Sequence, residues 1–169
     1  NNFRPLLWDA ATAARWQAKL LPLARLALLT DADERLIWQQ PMASAAELLL
    51  HARQLLPTTA VCLLKCGAAP ALLAANQWQT AVPAQPVAKV LDTSGAGDAF
   101  AAAFIWAWLV QGGTERPLAA AELIAAAQAG HQLAAAVVQQ AGAIVAQIPE
   151  LTVNVALSAA VAASGVADV

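Results

Sequence analysis

Charged residues are scarce in this sequence, at 12% of its 169 residues. Lys and Arg number nine against eleven Asp and Glu, and no cluster of basic residues occurs along the chain. Proteins that bind the phosphate backbone of a nucleic acid neutralise it with clustered Lys and Arg. We therefore do not expect a nucleic-acid partner.

Cysteine and histidine are also rare, with two of each. Cys62 and Cys66 lie four residues apart in a predicted strand, where extended geometry separates them by about 13 Å, too far for a disulfide. The supply of ligands is too small for a structural zinc site. With no disulfide framework and no signal peptide at the start, we expect a reducing cytoplasm as the location.

Apolar runs long enough to cross a bilayer are missing. The two longest, residues 99–110 and 151–167, are shorter than the roughly 20 residues of a spanning helix, so we expect no membrane partner. Hydrophobic residues nevertheless make up 60% of the chain, which is ample for a packed core. The start at Asn1 has neither an initiator Met nor a leading strand, and indicates a truncated chain. Residues 150–169 form an apolar tail without an assigned role.

Apolar runs alternate with helix-capping and helix-ending residues along the remaining sequence. Helices are predicted at residues 10–21, 31–38, 43–56, 99–110 and 118–140, and buried strands at 23–30 and 61–65. Ser44 and Glu47 are predicted to form a capping pair at the start of the third helix. Residues 71–90 predict short strands in a hairpin or meander near a sheet edge, broken at Asn76 and Gln77, at Pro83 and at Pro86. This alternation is typical of an α/β protein with a mostly parallel sheet and helices on both faces.

One segment carries recognisable chemistry, residues 93–98 with the sequence TSGAGD. It is predicted as a strand-to-helix junction, where small residues let the backbone approach a ligand. Free N–H groups and the positive end of the helix dipole make such a start an anion site. Gly95, Ala96 and Gly97 would take up phosphoryl charge, and Asp98, predicted in the first turn of the helix, would accept a hydroxyl proton. The alternative is that Asp98 only complements the helix dipole.

The longer segment LDTSGAGDAFAAAF, residues 91–104, resembles the C-terminal motif of the ribokinase, or PfkB, family. The resemblance implies that Asp98 is the catalytic base and that the amides of Gly95, Ala96 and Gly97 form the anion hole. It also implies a ribokinase-like layered αβα fold. Residues 1–149 would be its C-terminal nucleotide-binding and catalytic part, with the N-terminal strands and lid missing.

Further segments match the family in the same order. Residues 2–8, NFRPLLW, look like its Asn-x-Arg-Pro-x-Leu-Trp loop, and residues 28–34, LLTDADE, look like the following strand and acidic turn. The resemblance places Asn2 on the nucleotide side, Arg4 towards a substrate carboxylate, and Glu34 near magnesium-bound phosphates, through a phosphate or water.

Two more segments extend the match towards the C-terminus. Residues 63–68, LLKCGA, resemble the strand and turn that flank the nucleotide, and residues 130–144 resemble the helix and turn that close the adenine pocket. Lys65, Gly67 and His131 are thereby implied as nucleotide contacts. Pro70 departs from the family, because many relatives have Gly there, and it removes a backbone donor from this turn.

The resemblance implies an ATP- and Mg²⁺-dependent sugar kinase. The pattern is most similar to kinases that phosphorylate the 6-hydroxyl of 2-keto-3-deoxygluconate, a sugar acid. The expected partners are therefore ATP and a small sugar or sugar acid, with a homo-oligomer as a candidate state of the full-length protein. Two alternatives are a kinase of fructose or a ribosyl compound, and a non-catalytic remnant.

Several of these residues also have a simpler interpretation. Arg4 would suit a surface salt bridge, and Lys65 at a strand end would suit plain solvation. Asp92 would either hold the turn or help bind a monovalent cation such as K⁺. His131 would either pack against adenine or be capped within its helix.

Overall fold

A computed structural model describes residues 3–144 and 148–151. In chain order the elements are α1 (Ala10–Leu20), a 3₁₀ turn (Leu21–Leu23), β1 (Leu26–Thr30), α2 (Asp31–Ile37), α3 (Ala45–Leu55), β2 (Val61–Lys65), β3 (Ala71–Ala75), β4 (Trp78–Val82), α4 (Ala96–Val110) and α5 (Ala120–Val138). The predicted α/β class is confirmed. The 150–169 tail lies outside the described residues except for its first two residues.

The described strands form one sheet in the order β1-β2-β3-β4. β1 and β2 are parallel, with Thr30 and Lys65 paired at their carboxyl ends. β2 with β3 and β3 with β4 are antiparallel. The sheet is therefore mixed and not mostly parallel as expected. The reason is local, because a turn at Asn76 and Gln77 joins β3 to β4 as a hairpin.

Helices cover both faces of the sheet, as the alternation predicts. Leu63 of β2 faces α4 and α5 and packs with Phe104 in one core cluster. Leu64, the next residue, faces α3 and packs with Leu48 in a second cluster. Successive strand side chains point to opposite faces, so one apolar strand supplies both cores.

The helix starts follow their capping residues. Ser44 accepts the N–H of Glu47 at 3.3 Å, and the Glu47 carboxylate accepts the N–H of Ser44 at 2.7 Å. This reciprocal pair fixes the first turn of α3. α4 begins at Ala96, three residues before its predicted start, because Gly95 takes the left-handed conformation that turns the chain into the helix.

Candidate active site

The candidate site lies where β1 and β2 end. In open α/β sheets, ligands bind at the carboxyl ends of parallel strands. Thr30 ends β1 and leads directly into α2, while Lys65 ends β2 opposite it. The first turn of α4 reaches the same edge, because Lys65 Nζ donates a hydrogen bond to the Gly97 carbonyl at 3.2 Å. Two helix starts and one cation therefore meet at this edge.

The segment before α4 differs from the predicted strand-to-helix junction. Residues 83–95 are irregular, because the ladder ends at Val82 and Pro83 and Pro86 cannot donate to it. The segment is anchored instead to the end of α5, where the Leu91 N–H donates to the Val138 carbonyl at 2.7 Å. The predicted position of Asp98 in the first helical turn is confirmed.

Gly95 shapes the turn in front of α4. Its φ of +76° lies in the left-handed region, and a Cβ built on it would stand 2.7 Å from Cβ and 2.8 Å from the carbonyl oxygen of Ala143. A residue with a side chain would be strained by both the backbone angle and the contact. Glycine therefore lets the turn lie directly against the segment that follows α5.

Asp92 holds the same turn from the other side. One carboxylate oxygen accepts the Ser94 N–H at 2.8 Å, and the other accepts the Gly142 N–H at 3.0 Å. These bonds, the Ser94 bond foremost, lower the pKa of Asp92. They account for the turn-holding interpretation, and the monovalent-cation role stays a prediction.

Asp98 is exposed, and its carboxylate has no hydrogen-bond partner among the residues that the structure describes. It follows Gly97, also exposed, in the first turn of α4. The N–H groups of a helix start and a nearby ammonium are donors suited to a phosphate group, and an open carboxylate is an acceptor suited to a hydroxyl. The residues present therefore fit the nucleotide phosphates that the sequence implied.

Lys65 is the half-buried cation of this edge. Burial lowers its pKa, and the negative charges of Asp98 and Asp33 oppose that shift. Asp33 also accepts the N–H of Phe3 at 3.2 Å, which attaches the N-terminal loop to α2. Sequence reasoning missed Asp33, since it selected Glu34 from the same acidic turn.

Glu34 has a different environment from that expected of a magnesium-side carboxylate. It is 1% exposed, and its oxygens accept from Gln17 Nε2, each at 2.8 Å, and from Trp38 Nε1 at 3.0 Å. Neighbouring helical residues point about 100° apart, so Asp33 faces the edge when Glu34 faces inward. The magnesium-side role stays a prediction, and the burial argues for a supporting role.

The other predicted residues are placed as follows. Arg4 is exposed in the loop beside α2, and no salt bridge of Arg4 is found in the described part of the chain. Gly67 is exposed just after β2, with φ +61°. His131 is 7% exposed, with Nε2 3.2 Å from the Val82 carbonyl oxygen and its ring against Phe100. Asn2 lies outside the described residues.

Two further expectations concern cysteine and the membrane. Cys62 and Cys66 are both free thiols, as the spacing predicted. Burial raises the pKa of Cys62 to about 12, so it remains protonated in the core. None of the helices in the described part of the chain has the length and apolarity needed to cross a bilayer.

The fold and this edge together define an α/β protein with an open helix start at the carboxyl edge of its sheet. Residues 1–151 match the profile described as "pfkB family carbohydrate kinase". The chain belongs to this family.

Proteins named 2-dehydro-3-deoxygluconokinase are among its relatives. The one from Haemophilus influenzae is 30% identical over 152 residues, and the one from Escherichia coli K12 is 33% identical over 150 residues. The matches cover 88% and 86% of this chain and 44% of each relative. The chain therefore spans less than half the length of these relatives.

Solved structures support the fold. The chain is similar to aminoimidazole riboside kinase from Salmonella enterica, solved with aminoimidazole riboside and an ATP analog. The TM-score is 0.71 at 22% identity, covering 84% of this chain and 45% of that one. Fructokinase from Vibrio cholerae, solved with fructose, ADP and calcium, gives a TM-score of 0.67 at 23% identity over 83% and 44%. The predicted ribokinase-like fold is confirmed.

Proposed function

We propose that this chain supplies the nucleotide-binding and catalytic residues for ATP-dependent phosphorylation of a sugar-acid hydroxyl. The substrate proposed is 2-keto-3-deoxygluconate, phosphorylated at its 6-hydroxyl. The observation that carries the activity is the exposed carboxylate of Asp98 in the first turn of α4, beside Lys65 and the Gly95–Gly97 backbone. The names of the relatives support the substrate.

The roles follow from the geometry at the edge. ATP would supply the phosphoryl group, and the bound Mg²⁺ would neutralise part of the phosphate charge. The N–H groups at the start of α4 bind the anionic oxygens, and the Asp98 carboxylate accepts the proton of the sugar hydroxyl. Lys65 and Gly67 contact the phosphate side of the nucleotide, and His131 lies on its adenine side.

Arg4 is proposed to bind the carboxylate of the sugar acid. Its guanidinium is always charged and matches a carboxylate with two parallel hydrogen bonds. A kinase of a neutral sugar such as fructose has no use for this pairing. Arg4 therefore separates the proposed function from its nearest alternative.

Calorimetric titration of the chain with Mg-ATP tests the nucleotide part of the proposal. A kinase assay tests the rest, in a form of the protein that spans the whole length of its relatives, with 2-keto-3-deoxygluconate and fructose as rival substrates. We expect Arg4→Met to raise the KM for the sugar acid about 10-fold or more, the loss of one charged hydrogen-bonded pair. Arg15→Met, an exposed arginine of α1, is the matched control.

Each outcome decides between the candidates. Turnover of the sugar acid that depends on Arg4 supports the proposal. Turnover of fructose alone, unaffected by Arg4→Met, would leave a sugar kinase of another specificity. The absence of both Mg-ATP binding and turnover would identify a non-catalytic remnant.

A further inference from the structure

Lys65 contacts the backbone at the start of α4. Its Nζ donates to the carbonyl of Gly97 at 3.2 Å, although the two residues are 32 positions apart. That carbonyl and the N–H of Asp98 belong to one planar peptide unit. A bond that holds the Gly97 oxygen therefore also sets the direction of the Asp98 N–H and of the turn that carries its carboxylate.

The space around this contact admits a small side chain at residue 97. A Cβ built on Gly97 would stand 3.4 Å from Lys65 Nζ, at the near limit of ordinary contact. An added methyl group at residue 97 would therefore touch the ammonium without displacing it, and the hydrogen bond depends on the backbone carbonyl and not on a glycine.

Two carboxylates from different helices face the ammonium, Asp98 of α4 and Asp33 of α2. Their charges oppose the lowering of the pKa of Lys65 by burial. Asp33 in turn accepts the Phe3 N–H, in the loop that carries Arg4. The Arg4 loop is thus hydrogen-bonded to Asp33, the charge of Asp33 acts on Lys65, and Lys65 is hydrogen-bonded to Gly97.

We propose that Lys65 is a positioning residue that ties the anion-binding turn of α4 to the carboxyl end of β2 and so fixes the peptide unit that carries Asp98. This inference rests on the proposed function, because the turn it positions is the proposed phosphate site. Lys65 has three donors, so the bond to Gly97 leaves two for a phosphate. The positioning role is therefore additional to a nucleotide contact.

The first test uses the ligand-free chain. Carbon-detected NMR follows the Gly97 carbonyl while the pH is raised. We expect this resonance to titrate at a pH below 10.5, the ordinary lysine value. Asp33→Asn moves the midpoint lower, because it removes a charge that favours the ammonium. Lys65→Met abolishes the titration, and Lys19→Met, an exposed lysine of α1, leaves it unchanged.

The second test measures Mg-ATP affinity by calorimetry on the same variants. Loss of the tether is expected to weaken binding about 10-fold in Lys65→Met and to remove its dependence on alkaline pH, with Lys65→Arg retaining most of the affinity. A Gly97 carbonyl that does not respond to Lys65→Met would overturn the proposal. So would a carbonyl that responds while Mg-ATP affinity stays unchanged. If the unaltered chain binds no Mg-ATP, the proposed function fails, and the carbonyl titration still decides whether the tether exists.

Discussion

Two helices start at the same edge of the sheet with a carboxylate in the first turn, yet the two carboxylates have opposite environments. Glu34 of α2 is 1% exposed and accepts hydrogen bonds from Gln17 and Trp38. Asp98 of α4 is exposed and has no hydrogen-bond partner in the described ranges. An occupied, buried carboxylate holds structure, whereas an open one is available to a substrate.

Replacing Asp98 should have the largest effect, and only on chemistry. A positioned general base contributes about 10²- to 10⁴-fold to the rate, so Asp98→Asn should lower turnover by about that factor. Mg-ATP binding and the thermal midpoint should stay close to those of the unaltered protein. Turnover is measured in the form that spans the whole length of the relatives, and near-normal turnover would remove Asp98 from the role of base.

Replacing Glu34, in contrast, should lower the stability of the protein. Glu34→Ala empties the space of a buried side chain and leaves the partly buried donors of Gln17 and Trp38 without this acceptor, which we expect to cost about 1 to 3 kcal/mol of unfolding free energy. Urea unfolding of the chain measures the loss, with Asp98→Asn as the control. If both variants unfold at the same urea concentration, the contrast between the two helix starts is wrong.

The two glycines of the α4 turn sharpen the comparison within one segment. Gly95→Ala places a side chain at positive φ and against Ala143, so we expect a loss of about 1 to 3 kcal/mol. Gly97→Ala meets only the mobile end of the Lys65 side chain and should change stability by less than about 1 kcal/mol. If Gly95→Ala and Gly97→Ala lower the urea midpoint equally, the positive φ and the Ala143 contact of Gly95 are not what makes the turn sensitive to substitution.

His131 is a buried titratable group away from the edge, and its protonation is expected to make stability depend on pH. Burial lowers its pKa from the ordinary 6.5, although the bond to the Val82 carbonyl opposes the shift. The unfolded chain therefore binds the proton more readily, and the stability from neutral His131 is lost as the pH falls below about 6.5.

Urea midpoints at pH 7.5 and 5.5 measure this smallest effect. We expect the difference between the two midpoints to shrink in His131→Leu and to persist in His51→Gln. An unchanged difference in His131→Leu would assign the acid sensitivity to other groups.

Local sequence signals predicted the parts of the fold that depend on neighbouring residues. The capping pair of Ser44 and Glu47 is confirmed, and so is Asp98 in the first turn of its helix. The first depends on a contact three residues apart and the second on the glycine that precedes the helix, and a sequence displays both directly. The α/β class followed in the same way from alternating apolar runs and helix caps.

Long-range contacts are what the sequence could not display. The burial of Glu34 depends on Gln17, seventeen residues earlier, and the Lys65 bond to Gly97 spans 32 residues. The resemblance to the family motif directed attention to the turn before α4, although no local signal displays these contacts. It did not distinguish Glu34 from Asp33, since that choice depends on which side of α2 faces the edge.

The close approach of Gly95 to Ala143 limits the residues that this chain can accept at both positions. The two positions are 48 residues apart, yet the gap between them admits no extra atom at residue 95. A larger residue at 143 would press on the same turn from the other side. Two positions far apart in the sequence therefore both have to stay small for the turn before α4 to keep its shape.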